Sequence, residues 1–156
     1  MKNLHKLIAS IALCEAVGIL STPFTLAAIT GWYTNLIKPS FSPPNWIFGP
    51  VWTLLYMMMG ISLFLIWELG LKKKKVKTAV YYFGAQLVLN FFWSIAFFGL
   101  RSPLLGLVNI TILLGLILLT MKHFYPLSKP AFYLLVPYSL WVSFAAILNG
   151  AIVILN

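Results

Sequence analysis

Apolar residues run through this chain in long blocks rather than in alternation, and polar residues interrupt them at a few places only. Spanning about 30 Å of hydrocarbon takes roughly 20 apolar residues in a helix. Five blocks meet that length, at about 7–28, 45–69, 78–100, 103–121 and 130–155. None shows the polar–apolar alternation a transmembrane barrel strand requires. The first block is too long for a signal peptide and lacks a small-residue cleavage pattern. The pattern therefore predicts an all-α integral membrane bundle of five transmembrane helices, a single domain over 1–156, with a longer first loop at about 30–44.

Composition supports this reading. The 156 residues are 62% hydrophobic and 8% charged, against about 25% charged in soluble domains. A soluble fold of this size could not hide that much apolar surface. The net charge of +9 does not indicate nucleic acid, because five of the eleven basic residues cluster at Lys72–Lys75 and Lys77. Lysines beside a span are the usual mark of a loop held at anionic headgroups. The N-terminus, second loop and fourth loop together carry nine basic residues, and the opposite side has only Lys38 and Arg101. That bias predicts a cytoplasmic N-terminus and an outside C-terminus, with membrane lipid as the constant partner. Cys14 is alone, and His5 and His123 lack acidic or thiol neighbours, so no disulfide and no metal site is expected.

Polar side chains inside a bilayer normally point into the bundle. In the third span Gln86, Asn90, Trp93, Ser94 and Phe97 share one helical face, and in the fifth Tyr138, Trp141, Ala145, Leu148 and Asn149 do so. The second span adds Trp52, Tyr56 and Met59. Such stripes serve as helix-packing contacts and interfacial belts in many membrane proteins. Taken together, with three tryptophans well inside their spans, they point instead to an internal cavity lined by aromatics and a few amides. That lining suits a flat, largely apolar ligand.

The segment WYTNLIKPSFSPPNWIFGPVWTLLY holds four of nine prolines and three of six tryptophans. Pro39, Pro43 and Pro44 stiffen the first loop, which reads as a rigid lid placing Trp32 and Tyr33 over the cavity. Pro50 and Pro137 lie inside helices and should free the carbonyls of Trp46 and Tyr133. Glu15, the one acid well within a span, is expected to be neutral and hydrogen-bonded to another helix. Glu68 is expected to pair with Lys72 at i, i+4.

The strings WYTNLIKPSFSPPNWIFGPVWTLLYMMMG, QLVLNFFWSIAFFG and PYSLWVSFAAILN resemble the translocator protein family (TspO, tryptophan-rich sensory protein, peripheral-type benzodiazepine receptor). The resemblance covers the chain from about Trp32 onward. It implies a five-helix bundle, commonly a homodimer, with a pocket under the first loop for porphyrins such as protoporphyrin IX, and in many members for cholesterol and benzodiazepine-type ligands. Carried over by motif, the pocket residues are Tyr33, Trp52, Asn90, Trp141 and Ala145; the stripes and lid add Trp32, Tyr56, Trp93, Tyr138 and Asn149. Three departures stand out. Asn109 occupies a position that is often Asp, and Phe41 one that is often Trp. Leu148 is followed by neither tyrosine nor a basic residue, which counts against cholesterol; a nominal sterol pattern at Leu119, Tyr125 and Lys129 is of weak specificity.

Three functions compete on these grounds. The leading one is a receptor or sensor holding a porphyrin-like ligand, with Asn90 donating to it and no cofactor of its own. A transporter of porphyrins or sterol-like molecules is the second. The third is light-dependent porphyrin degradation, which with no nucleophile–base pair in view would be the ligand's own photochemistry.

Overall fold

The computed structural model describes residues 3–156. Five helices occur in chain order: α1 (Leu4–Ile29), α2 (Asn45–Trp67), α3 (Lys74–Ser94), α4 (Pro103–Phe124) and α5 (Lys129–Leu155). A π-helical turn, Ile95–Gly99, continues α3, and no strand occurs among the described residues. All five helices are long and apolar enough to cross a membrane.

Local chemistry sets the ends. Ser102 and Ser128 cap α4 and α5 by accepting from the backbone N–H of Leu105 and Ala131, each with a proline in the first turn. Pro44 precedes α2, and Gly70, at φ +98°, turns the chain out of it. α3 starts four residues earlier than its apolar block predicts. Three of the clustered lysines, Lys74, Lys75 and Lys77, therefore form its first turn rather than a loop, because long lysine stems lie along a helix while their ammonium groups stay wet. Gly70 also overturns the expected Glu68–Lys72 pair: the helix has ended, and Glu68 instead meets Lys6 at 2.8 Å, tying α2 to the start of α1.

The helices form a ring in the order α1, α2, α5, α4, α3, with the π turn closing back on α1. Large apolar side chains such as Ile19, Leu140 and Ile147 face outward, as lipid contact permits. Inside, Tyr138, Phe83, Phe124 and Met59 are fully buried. Where α1 meets α2, the backbones touch through glycine. A Cβ on Gly60 would lie 2.5 Å from the Ile11 Cα, and one on Gly18 would lie 2.7 Å from the Tyr56 ring. Small residues allow such close helix contact in lipid.

The first loop folds over one end of the ring. A short 3-10 turn, Tyr33–Asn35, opens it. The Lys38 ammonium then donates to the Tyr33 carbonyl at 2.8 Å and lies 4.6 Å from the Tyr33 ring centre. At the far end of α5, Asn156 accepts from the Ile37 N–H at 3.0 Å and donates to the Ile37 carbonyl at 2.9 Å. The loop is thus stapled to itself and to α5.

Replacing Gly60 by valine should force α1 away from α2 and lower stability by about 1–3 kcal/mol, the usual cost of overpacking. Thermal unfolding in detergent measures this, with Gly115→Ala, at an open helical position, holding or raising the midpoint.

Candidate functional site

Below the Gly18–Tyr56 contact α1 and α2 pack tightly; above it they part. The gap, closed behind by α3 and above by Tyr33, is a cavity of about 500 Å³, within the roughly 300–1,000 Å³ range of small-molecule sites. Its lid end is aromatic: Tyr33, Trp46, Phe48, Trp52, Trp93 and Phe98 line it. Its deep end is more polar, with Glu15, Ser21 and Thr22 from α1, Tyr56 from α2 and Asn90 from α3. Ile19, Leu26 and Trp46 are cavity-lining and also exposed, so the cavity opens sideways between α1 and α2.

The floor is a chain of hydrogen bonds through three helices. The Tyr56 hydroxyl donates to Asn90 Oδ1 at 2.6 Å. Asn90 Nδ2 donates to the Tyr138 hydroxyl at 2.8 Å, which donates in turn to Gln86 Oε1 at 2.7 Å. All four side chains are buried. In a low-dielectric interior each bond is strong and each missing partner costly.

The sequence-derived candidates divide by this geometry. Tyr33, Trp52, Tyr56, Asn90 and Trp93 line the cavity together. Tyr138 does not; it lies inside the polar chain, wholly buried. Trp141 stands one layer back, against Phe48 with ring centres 6.0 Å apart, and its indole N–H is buried without an acceptor. Ala145 and Asn149 line a second, much smaller void of about 30 Å³, which shares Tyr33, Phe48, Trp93 and Phe98 with the main cavity. Asn149 also ties helices: it accepts from the Trp93 indole at 3.2 Å and donates to the Pro103 carbonyl at 2.7 Å. Trp32 packs on Phe97, ring centres 5.7 Å apart, at the lid's edge. Burial pushes the Tyr33 phenol above its ordinary range, with Ser42 acting weakly the other way, so it stays neutral at physiological pH.

Asn90 spends one amide hydrogen on Tyr138 and its oxygen on Tyr56, and so also links helices. One expectation is corrected: Glu15 makes no hydrogen bond to another helix among the described residues; it lines the cavity. The α1 wall went unnoticed in the sequence, although Ile11, Glu15, Gly18, Thr22, Thr25 and Ile29 recur at alternating spacings of four and three, one helical face.

Comparison with known proteins agrees with this architecture. The family model described as the TspO/MBR family matches residues 10–155. The chain belongs to the TspO/MBR family. It is 49% identical to the tryptophan-rich protein TspO of Chlorobaculum tepidum over 155 residues, covering 99% of this chain and 98% of that one. It is 47% identical to the tryptophan-rich protein TspO of Archaeoglobus fulgidus over 155 residues, covering 99% of both chains. The translocator protein of Homo sapiens is 40% identical over 119 residues, which are 76% of this chain and 70% of that one. Membership and the five apolar helices make this an integral multi-pass membrane protein, and the family supports a receptor or transporter role.

Two outcomes follow from this geometry. Tyr138→Phe removes the donor to Gln86 and the acceptor of Asn90; a loss of about 1–3 kcal/mol is expected, read as a lower unfolding midpoint in detergent. Phe48→Ala should join the two voids, so that ligands too bulky for the wild type gain affinity in a competition assay.

Proposed function

We propose that the chain is a membrane receptor or sensor that holds a flat, largely apolar ligand of the porphyrin type in the cavity between α1, α2 and α3. The observation that carries this reading is the six-ring aromatic wall around a space of about 500 Å³. Aromatic surfaces stack on a planar π-system from either face. The sideways opening between α1 and α2 supports entry from the hydrocarbon phase, where such a ligand partitions. The same opening also favours the transporter as a second reading, since a site reached from lipid can exchange its ligand with the bilayer.

Finer points belong to the same reading. The lysine-rich end is cytoplasmic, by the loop charge bias, which puts the lid outside. Two copies associate through α3, where Gly84 is open and Tyr81, Val88 and Phe92 are exposed. Cholesterol is not part of the proposal.

Titrating protoporphyrin IX into the protein in detergent, in the dark, should quench tryptophan fluorescence. Trp52→Ala should weaken binding about tenfold, on the scale of a lost aromatic contact plus its buried area, whereas Trp141→Phe, one layer back, should change it less. Undiminished binding in Trp52→Ala would refute the wall assignment. Repeating the titration under illumination reveals any breakdown product, and uptake into sealed proteoliposomes separates transport from binding.

A further inference from the structure

Among the described residues Glu15 makes no ion pair. Lys6, the nearest lysine before it in α1, is engaged with Glu68 at 2.8 Å. It lies nine residues below, about 13 Å along a helix rising 1.5 Å per residue. The stripe position of Glu15, between Ile11 and Gly18, which both touch α2, aims it into the α1–α2 gap. A carboxyl group so placed in lipid marks a functional site by default.

Most of the polar groups lining the deep end with it offer lone pairs. The Tyr56 hydroxyl hydrogen is committed to Asn90, leaving its lone pairs free. The Ser21 and Thr22 hydroxyls donate to the Val17 and Gly18 carbonyls of their own helix at 2.7 and 2.9 Å, so they too offer lone pairs. Pro23, inside α1, has no N–H for the carbonyl of Ile19, another residue of the cavity wall. Carboxylate, phenol, hydroxyls and a freed carbonyl all accept hydrogen bonds. The deep end of the cavity is therefore rich in acceptors, with the second Asn90 amide hydrogen as a donor among them.

We propose that Glu15 makes this deep end a subsite for a hydrogen-bond donor on the ligand, with a protonated amine as the best-fitting group. Aromatic ligands then enter with a cationic or N–H-bearing end inward and any carboxylates outward, beneath the lid. The amine would give Glu15 the partner a carboxylate in low dielectric requires. This rests on the cavity being an aromatic-ligand site, and the test separates the two.

Three probes share one ring system: 9-(aminomethyl)anthracene, 9-methylanthracene and 9-anthracenecarboxylate. Each is titrated by fluorescence into the full chain in detergent, as wild type, Glu15→Gln and Glu15→Asp. The amine should bind about tenfold tighter than the methyl compound, equivalent to about 1.4 kcal/mol, and the carboxylate weakest. Glu15→Gln, of the same shape, should abolish the amine's advantage while leaving 9-methylanthracene affinity unchanged, which also reports an intact cavity. Glu15→Asp should keep part of it. An amine advantage that survives Glu15→Gln, or none in the wild type while 9-methylanthracene binds, overturns the role of Glu15 alone. Failure of all three probes to bind removes the aromatic-ligand reading and this inference with it.

Discussion

Four polar side chains from three helices are linked by three hydrogen bonds in the interior: Tyr56 of α2, Asn90 and Gln86 of α3, and Tyr138 of α5. In a bilayer the helices gain little from the hydrophobic effect against one another, because lipid tails are as apolar as leucine. Packing and directional polar contacts must choose the partners. This chain fixes α2, α3 and α5 at one level, and the rest of the site is arranged above it. Tyr56 serves twice, as the first member of the chain and as the surface against which Gly18 brings α1.

The cavity follows from what α1 does beyond that contact. Gly60 allows near backbone contact, Gly18 seats the Tyr56 ring, and the Lys6–Glu68 pair closes the same end. Past Gly18 the α1 stripe carries threonines and Ile29, facing the bulky Trp52 and Phe48 of α2. Large rings opposite a helix hold it off, and the resulting gap is roofed by the stapled loop. Tight packing at one end and separation at the other are thus one arrangement, produced by residue size along two facing stripes.

Much of this was legible in the sequence, for identifiable reasons. Block length alone carried the five spans, and the polarity of Gln86, Asn90 and Asn149 marked inward faces, since lipid tolerates amides poorly. What periodicity does not carry is the difference between facing a void and facing another side chain. Tyr138 and Tyr56 read alike, yet one is sealed in the polar chain while the other also borders the cavity. Trp52 and Trp141 read alike too, and Phe48 stands between Trp141 and the open space. The α1 wall was masked because its polar residues are small hydroxyls and one acid in a strongly apolar block. Glu68 was assigned its helical neighbour because a partner 62 positions away leaves no local trace.

One rod, α5, carries both ends of the binding chamber. Tyr138 sits in the base, and Asn156, eighteen residues on and about 27 Å away at helical rise, grips the cap at Ile37. No proline interrupts the stretch between them. A guest that lifts the cap must therefore either snap that two-bond grip or transmit its push down a stiff lever to the buried tyrosine.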